Sequence, residues 1–440
     1  MLKSFSDIFK IPELKRRVLF ALGILAVYRV GATIPIPGID GIALRAFFET
    51  QKNTLFGFLD MFSGGALTKL SIFSMGIMPY INASIIMSLL QTIVPYFEKL
   101  SKEGESGRKK LTQISRYGTL VLGAIQSFGL TYMMQAMKAP NGTPVVMHPG
   151  IKFQLLTVLT LTTGTVFIMW LGEQITERGI GNGISLIIFA GIVDRLPAAV
   201  KNIFILLKSE GISLFGVILI VTLVVIVTGL VVMVEQGQRR IPVQYAKRMV
   251  GRRSVGGQTT FLPLKVNQSG VIAVIFAISI MSFPMTMAQF FPEASVAKTI
   301  ATWWGSGSGM YELIYAGLII FFCYFYTAIT FNPIDLAENM KKWGGFVPGI
   351  RPGEATAAYI ERILVRITLG GAIFVAIIAV FPEFLRKWFN APFFFGGTAL
   401  LIVVGVALDT LGQMESHLIM RHYDGFMDQG KIKGRYFNIR

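Results

Sequence analysis

The stretch ISLFGVILIVTLVVIVTGLVVMV, residues 212–234, decides the fold of this chain. It contains no charged side chain. A bilayer hydrocarbon core about 30 Å thick needs about 20 mostly apolar residues of α-helix to cross it. The stretch therefore predicts a transmembrane helix, and similar stretches recur along the sequence.

The composition of the whole chain agrees with this prediction. Of its 440 residues, 53% are hydrophobic and only 15% are charged, whereas a soluble domain carries about 25% charged residues. The formal net charge is nevertheless +17. This combination excludes a soluble globular enzyme, and it excludes a disordered basic protein because disorder requires low hydrophobicity. It indicates a membrane protein with several spans, whose charges are mostly basic.

Ten stretches are apolar and long enough to be read as spans, although Asp194, Arg195 and Pro197 interrupt the fifth. They are 18–34, 72–95, 117–137, 154–173, 182–203, 212–234, 269–290, 312–331, 364–382 and 393–412. The first follows a basic run and resembles a signal peptide. Because Tyr28, Arg29 and further spans follow it, we expect an uncleaved first span.

The positions of lysine and arginine predict the orientation. With the N-terminus inside, the cytoplasmic segments hold 29 of the 41 basic residues. These segments are 1–17, 98–116, 177–183, 235–265, 335–366 and 415–440. Both termini are therefore expected in the cytoplasm. Five spans before residue 211 and five after it would give two halves of opposite orientation, as in inverted repeats, and this repeat is a hypothesis from the count alone.

Residues that could carry chemistry are scarce. The single cysteine, Cys323, excludes an internal disulfide framework, and three histidines leave little room for a histidine-based metal site. No phosphate-binding loop of the G-x-x-x-x-G-K-[ST] type is present. The ionisable residues closest to the spans lie at or near span ends: Arg29, Glu173, Glu235, Glu312 and Asp409. An ion-coupled transporter needs ionisable ligands inside its spans, and a membrane-embedded hydrolase needs a nucleophile with a base, or metal ligands, there. Because the spans offer neither, the sequence argues against both classes. We expect no catalytic residue, metal or cofactor.

Residues 55–71 do not form a simple span. They are moderately apolar, and Gly57, Gly64 and Gly65 interrupt them. Two interpretations remain open: a helix lying flat on the outer surface, or a short helix folded back into a cavity. The sequence offers no ion pair that would anchor this segment.

Two pairs of isoleucines share a helix face in different spans. Ile77 and Ile81 are four residues apart, as are Ile184 and Ile188. Isoleucine in a span most often faces lipid or packs against a neighbouring helix. A shared apolar constriction, which would seal a channel by dewetting, is the alternative.

Two predicted cytoplasmic loops, 235–265 and 335–366, are too long to be mere connections. In the first, residues 241–246 and 259–264 can pair as a hairpin. In the second, two Pro-Gly turns set a rigid tip around Ile350 and Arg351. The basic charges extend beyond the span ends, so we expect these loops to dock an acidic or RNA-rich partner, the alternative being that they only fix orientation.

At these residues the chain resembles the SecY family, the channel-forming subunits of the bacterial general protein translocase, over essentially its whole length. The resemblance is carried by IPIPG (34–38), MFSGG (61–65), GIMPYI (76–81), KEGESGR (102–108), GEQITERGIGNG (172–183), FVPGIRPGE (346–354) and FGGT (395–398). It implies an all-α polytopic membrane protein with ten transmembrane helices in two inverted five-helix halves, 1–211 and 212–440, arranged as a clamshell. It also implies a short re-entrant plug helix near 57–71.

The same resemblance implies roles for particular residues. The pore ring would be Ile77, Ile81, Ile184, Ile188, Ile275 and Ile402. The plug would include Phe58, Met61, Phe62, Ser63, Gly64, Gly65 and Leu67. The lateral gate would include Ser84, Ile85, Met87, Ser88, Gln91, Ile278 and Ser282. Docking of the motor or ribosome would use Arg239, Arg240, Lys247, Arg248, Arg252, Arg253 and Arg351.

The implied function is not enzymatic. A member of this family passes unfolded secretory polypeptides across the bacterial plasma (inner) membrane and releases apolar segments sideways into the lipid bilayer. The implied partners are the small membrane subunits SecE and SecG, the motor ATPase SecA, the ribosome, signal peptides and nascent chains, with SecDF and YidC as further ones.

Overall fold

The computed structural model describes residues 11–50, 63–137, 139–140, 142–209, 213–245, 248–250, 253–255, 259–288, 309–389 and 397–429. The helices of this part of the chain are α1 (Pro12–Gly31), α2 (Gly41–Thr50), α3 (Met78–Ile93), α4 (Pro95–Lys102), α5 (Glu105–Ala136), α6 (Ile151–Arg178), α7 (Gly183–Val193), α8 (Leu196–Lys208), α9 (Leu214–Gln236), α10 (Ile272–Ala288), α11 (Gly309–Thr330), α12 (Pro333–Lys342), α13 (Glu354–Phe389) and α14 (Gly397–Gln429). The strands are β1 (Gln238–Tyr245), β2 (Arg248–Val250), β3 (Arg253–Val255), β4 (Thr259–Lys265) and β5 (Gly345–Phe346).

Each of the ten predicted spans overlaps a helix in its described residues, and the fifth overlaps two, α7 and α8. Among the described residues, six helical stretches are long and apolar enough to cross a membrane: Ile151–Arg178, Gly183–Ile205, Leu214–Gln236, Gly309–Lys342, Glu354–Phe381 and Gly397–Leu418. The bent pair α3 and α4 would be a seventh. Several membrane-spanning helices are therefore a feature of the fold, and the full set of ten remains a prediction.

Proline sets two of the breaks. Val94 lies in an extended conformation before Pro95, and the chain bends by 97° between α3 and α4. A residue that precedes proline avoids the helical conformation, which explains the bend. The predicted interruption of the fifth span is also present, since α7 ends at Val193 and α8 begins with Pro197 in its first turn.

The segment before α3 differs from the prediction. Residues 63–70 form consecutive turns rather than a helix, and residues 51–62 lie outside the described residues. Ser71 forms a β-bridge with Pro35, and the backbone N–H of Ile36 donates to the carbonyl oxygen of Leu70 at 2.9 Å. The described part of the predicted plug helix is thus an irregular chain, anchored by backbone hydrogen bonds at its C-terminal end.

The two long loops between spans form one folded unit. β1 pairs antiparallel with β4, with Ile241 opposite Leu262, which confirms the predicted hairpin over its described residues. β5, from the second loop, pairs with the other edge of β1. Side chains from both loops then share one apolar cluster, built on Ile241, Val243, Leu264, Met340, Val347 and Ile360.

Two segments predicted to be cytoplasmic contain helix in their described residues. The region 335–366 contains most of α12 and the first turns of α13. The region 415–440, expected to be a separate cytoplasmic tail, begins as the continuation of α14, which extends to Gln429. α14 continues past the apolar stretch because residues 413–424 contain no proline or glycine that would end a helix.

Gly164 lies where α6 meets the irregular chain before α3. A Cβ at this position would lie 2.1 Å from the carbonyl oxygen of Ile72, a backbone atom that cannot rotate away. We therefore expect Gly164→Ala to destabilise the protein by about 1–3 kcal/mol, as overpacking does. The measurement is the thermal midpoint of the purified protein in detergent.

Gly370→Ala is the matched control, because a Cβ at this glycine meets nothing within 4 Å. Equal midpoints for the two variants would show that the contact between α6 and Ile72 is not tight.

Candidate functional site

Six isoleucines that are far apart in sequence lie in or against one apolar cluster. Five are buried and belong to the cluster, while Ile184 is half-buried and packs against it. They are Ile77, Ile81, Ile184, Ile188, Ile275 and Ile402. We call them the isoleucine layer. They come from α3 and the residue before it, from α7, from α10 and from α14, so both halves of the chain contribute to it.

Local backbone chemistry places the isoleucines of α7. The side chain of Asn182 accepts hydrogen bonds from the backbone N–H groups of Ile184 and Ser185, at 3.1 and 3.3 Å, which starts the helix. Gly181 before it has a φ of +84°. A Cβ on Gly183 would lie 1.9 Å from the carbonyl oxygen of Gly172, so only glycine lets α7 start this close to α6.

The two predicted gate helices, α3 and α10, contact each other. Ile85 and Ile278 are buried in the cluster that contains the isoleucine layer. The hydroxyl of Ser88 donates to the carbonyl oxygen of Ser84 at 2.9 Å, and that of Ser282 donates to the carbonyl oxygen of Ser279 at 2.8 Å. These serines satisfy their hydroxyls on their own helices, so the helix surfaces remain effectively apolar.

The other two predicted gate residues on α3 differ in their surroundings. Gln91 is half-buried near the end of the helix. Met87 packs into a separate cluster with Leu100 and Leu111, on α4 and α5, away from the residues shared with α10. The structure thus brings Ile85 and Ile278 together but directs Met87 elsewhere.

The described part of the predicted plug, which we call the 63–71 segment, is mostly buried. Ser63, Gly64 and Leu67 are buried and Gly65 is half-buried, whereas Phe58, Met61 and Phe62 lie outside the described residues. Ala66 is fully buried and belongs to the same cluster as the isoleucine layer. The segment therefore contributes a buried side chain to the apolar cluster that contains that layer.

One contact at this segment was missed by the sequence analysis. Arg29, at the end of α1, forms an ion pair with Asp194, just after α7, and donates a hydrogen bond to the carbonyl oxygen of Gly64 at 2.7 Å. The ion pair lies outside the segment, which is reached only through the hydrogen bond of Arg29 to Gly64, and the sequence alone had identified neither contact. Both residues stood out as charges at or inside span ends, but nothing in the sequence indicates that spans one and five meet.

A polar cavity of about 540 Å³ lies beside the isoleucine layer. It is bounded by the start of α7, the end of α9, the start of α10, the end of α11 and the middle of α14, on the predicted cytoplasmic side of the spans. Its polar lining is Asn182, Ser185, Glu235, Lys265, Asn267, Gln268, Ser269, Tyr326, Asp409, Thr410, Gln413 and Ser416. Val406, a member of the apolar cluster, also lines it. A polar cavity thus borders the apolar cluster that contains the isoleucine layer.

Hydrogen bonds fix the wall of this cavity. Asn267 donates to the carboxylate of Glu235 at 2.9 Å and accepts from the hydroxyl of Ser269 at 3.0 Å. Across the two halves, the backbone N–H of Gly181 donates to the side-chain oxygen of Gln413 at 2.9 Å. In the described residues no group of three or more His, Cys, Asp or Glu side chains could hold a metal ion.

The predicted docking residues are partly described. Arg239 and Arg240 are exposed on β1, and Arg351 is exposed in the turn before α13. The backbone at Arg351 is fixed, because the hydroxyl of Thr356 donates to its carbonyl oxygen at 2.8 Å and Gly349 adopts a φ of +82°. Arg248 lies on β2 and Arg253 on β3, and the structure describes only their backbone. Lys247 and Arg252 lie outside the described residues.

Comparison with known proteins gives consistent matches. The sequence model of the SecY family matches residues 71–411. The chain is 50% identical over 425 residues to the protein translocase subunit SecY of Escherichia coli K12, covering 96% of each chain. It is 49% identical over 438 residues to the subunit of the same name from Halalkalibacterium halodurans, covering 97% of this chain and 100% of that one.

Solved structures share the fold at low sequence identity. A SecY protein whose plug domain stabilises the closed state of the translocation channel superposes with a TM-score of 0.68 at 18% identity, covering 93% of this chain and 96% of that one. Sec61 in the canine ribosome-channel complex superposes with a TM-score of 0.63 at 16% identity, with the same coverage of both chains. These likenesses concern the fold alone.

Proposed function

The chain belongs to the SecY family, and on this premise we propose that the isoleucine layer is the seal of its channel. The protein is a protein-conducting channel of the membrane, a non-enzymatic subunit of a protein translocase. The observation that carries the proposal is the set of six isoleucines gathered from both halves into one apolar cluster.

The physical logic follows from the cavity and the layer together. A channel that passes arbitrary polypeptides cannot offer specific polar partners to each of them. An apolar constriction excludes water when idle, by dewetting, and yields to an entering side chain. The polar cavity bordered by Asn182, Glu235 and Asp409 receives a hydrated chain on one side of this layer. In this proposal the 63–71 segment, whose Ala66 lies in the same apolar cluster, is the root of the plug that covers the layer.

The side exit is proposed at the contact between α3 and α10. Its residues are Ser84, Ile85, Ser88, Gln91, Ile278 and Ser282, and Met87 is left out because it packs against α4 and α5. Separation of two largely apolar helix surfaces lets an apolar segment of about 20 residues partition into lipid. Opening there fits a clamshell of two inverted five-helix halves, 1–211 and 212–440, with ten transmembrane helices.

The cytoplasmic face is proposed as the docking site. The unit formed by β1, β4 and β5, together with Arg239, Arg240 and Arg351, presents basic side chains on a rigid support. Ribosomal RNA and acidic surfaces are attracted to such a face. The proposed partners are the ribosome, SecA, SecE, SecG, SecDF and YidC, in a bacterial inner membrane with both termini cytoplasmic.

A reconstituted system tests the proposed function. Proteoliposomes would hold this chain, SecE, SecG and the motor SecA, and ATP would be added with a secretory precursor protein. We expect the precursor to become protected from external protease only when the chain and ATP are both present. Protection without this chain, or none with the complete set, would contradict a channel function.

Replacement of Ile81 and Ile188 by serine tests the seal. Each buried hydroxyl lowers the cost of wetting, because an unpaired polar group in apolar surroundings costs roughly 1–3 kcal/mol. The ion leak of the idle channel should rise about tenfold for the double variant, as measured in planar bilayers, since the barrier to wetting falls by at least one such increment.

Ile86→Ser is the matched control, since Ile86 lies on α3 with 45% of its surface exposed. If the double variant leaks no more than this control, the isoleucine layer is not the seal.

Reversal of the charge at Arg351 tests the docking face. Arg351→Glu places a carboxylate where an acidic partner would bind, and like charges across an interface oppose association. We expect roughly tenfold weaker binding of SecA or of ribosomes, with membrane insertion of the channel unchanged. Binding to proteoliposomes is measured against Lys110→Glu, an exposed cytoplasmic charge on α5. Equal binding by the two variants would show that Arg351 is not a docking residue.

A further inference from the structure

We propose that Asp194 is a positioning residue for the channel seal, because it holds Arg29 on the carbonyl oxygen of Gly64 and so keeps the 63–71 segment in its closed position. This inference rests on the proposed function of the isoleucine layer as the seal. It assigns a role to a contact that joins α1, the end of α7 and the 63–71 segment.

Two neighbouring side chains of α1 bind two consecutive carbonyl groups. The hydroxyl of Tyr28 donates to the carbonyl oxygen of Ser63 at 3.2 Å, and Nη1 of Arg29 donates to that of Gly64 at 2.7 Å. Tyr28 is fully buried and stacks on Phe73, with ring centroids 5.9 Å apart, so its ring is fixed by packing. The position of Arg29 depends instead on a charged partner.

That partner is Asp194, which binds the other terminal nitrogen of Arg29, Nη2. A guanidinium presents its donors in one rigid plane, so a carboxylate on one nitrogen fixes the direction of the other. Asp194 therefore acts on the 63–71 segment through Arg29. The two side chains are 35% and 37% exposed, so solvent screens their attraction. The ion pair therefore stabilises the position of the segment only modestly.

The backbone of the segment fits closely against α7 at the same point. Gly64 has a φ of +64°, and a Cβ there would lie 2.9 Å from the Cα of Gly191. The segment is also internally bonded, since the N–H of Leu67 donates to the hydroxyl of Ser63 and the hydroxyl of Ser74 donates to the carbonyl of Ala66. Loss of the Arg29 contact should thus shift the segment as a unit.

Such a shift uncovers the seal. Ala66 is fully buried in the cluster that contains the isoleucine layer, so movement of the segment withdraws an apolar side chain from the packing around that layer. The other end stays attached, because Leu70 accepts a hydrogen bond from the N–H of Ile36 and Ile72 donates one to Ile34. The end at Ser63 and Gly64 is therefore where side chains set the closed position.

The test is the idle ion conductance of the complete channel complex in planar bilayers. Asp194→Asn should raise the leak about two- to fivefold, the range expected for a partly exposed ion pair. Asp194→Glu, which restores a carboxylate, should return the leak to near the wild-type level. The ratio of mutant to wild-type leak should also fall towards one at 1 M salt, because salt screens the pair.

A double-mutant cycle separates a positioning role from a general structural one. If Asp194 acts through Arg29, Arg29→Gln should leak as much as Arg29→Gln combined with Asp194→Asn. Additive effects of the two changes would overturn the proposal, as would an unchanged leak in both single variants. If the Asp194→Asn channel does not assemble, Arg29→Lys tests the same contact. Lysine keeps the positive charge but lacks the planar fork of donors, so this variant should also raise the leak.

Two controls keep this inference separate from the proposed function. Glu98→Gln removes a cytoplasmic ion pair with Lys102 and should leave the leak unchanged. Ile81→Ser with Ile188→Ser serves as the positive control for the seal. If that variant leaks and Asp194→Asn does not, the positioning role is wrong, and if neither leaks, the seal itself is misassigned.

Discussion

Close packing around one apolar layer drawn from both halves of the chain is the constraint on which the rest of the structure depends. The layer is built from Ile77, Ile81, Ile184, Ile188, Ile275 and Ile402. Inside a membrane, apolar side chains gain little from leaving lipid, so helices associate through close packing and hydrogen bonds. Close approach of α6 and α7 at Gly172 and Gly183 supplies that packing beside the layer. The layer is therefore held by its neighbours rather than by its own hydrophobicity.

Irregular backbone next to the layer is possible because its polar groups are bonded within the protein. The N–H of Ser71 donates to the carbonyl of Ala66, and that of Gly76 donates to the carbonyl of Phe73. Non-helical backbone survives at membrane depth only under such conditions. The same requirement explains why Tyr28 and Arg29 donate to carbonyls of the 63–71 segment, which a helix would have satisfied internally. The irregular 63–71 segment is thus held in part by two side chains of α1.

Much of this arrangement could be predicted from local sequence patterns. Helices were predicted at all ten apolar stretches, and the break at Asp194 and the hairpin of β1 with β4 are confirmed. Other features could not be predicted, because they depend on contacts between distant elements. The pairing of β5 with β1, the direction of Met87 and the ion pair of Arg29 with Asp194 arise only when the helices pack. The 63–71 segment was expected to be a helix, yet positive φ angles at Gly64 and Gly65 keep it irregular.

The sequence by itself determined that the chain has several stretches apolar and long enough to span a membrane, and it predicts which side carries the basic charge, because hydrophobicity and lysine and arginine positions act residue by residue. It also determined the family, through motifs such as GIMPYI (76–81) and FVPGIRPGE (346–354). Only the tertiary structure decided that isoleucines from four separate helical regions meet beside a polar cavity, and that Arg29 reaches both Asp194 and Gly64. The physical reason is that side-chain contacts between spans depend on helix rotation and close packing, which no single stretch of sequence specifies.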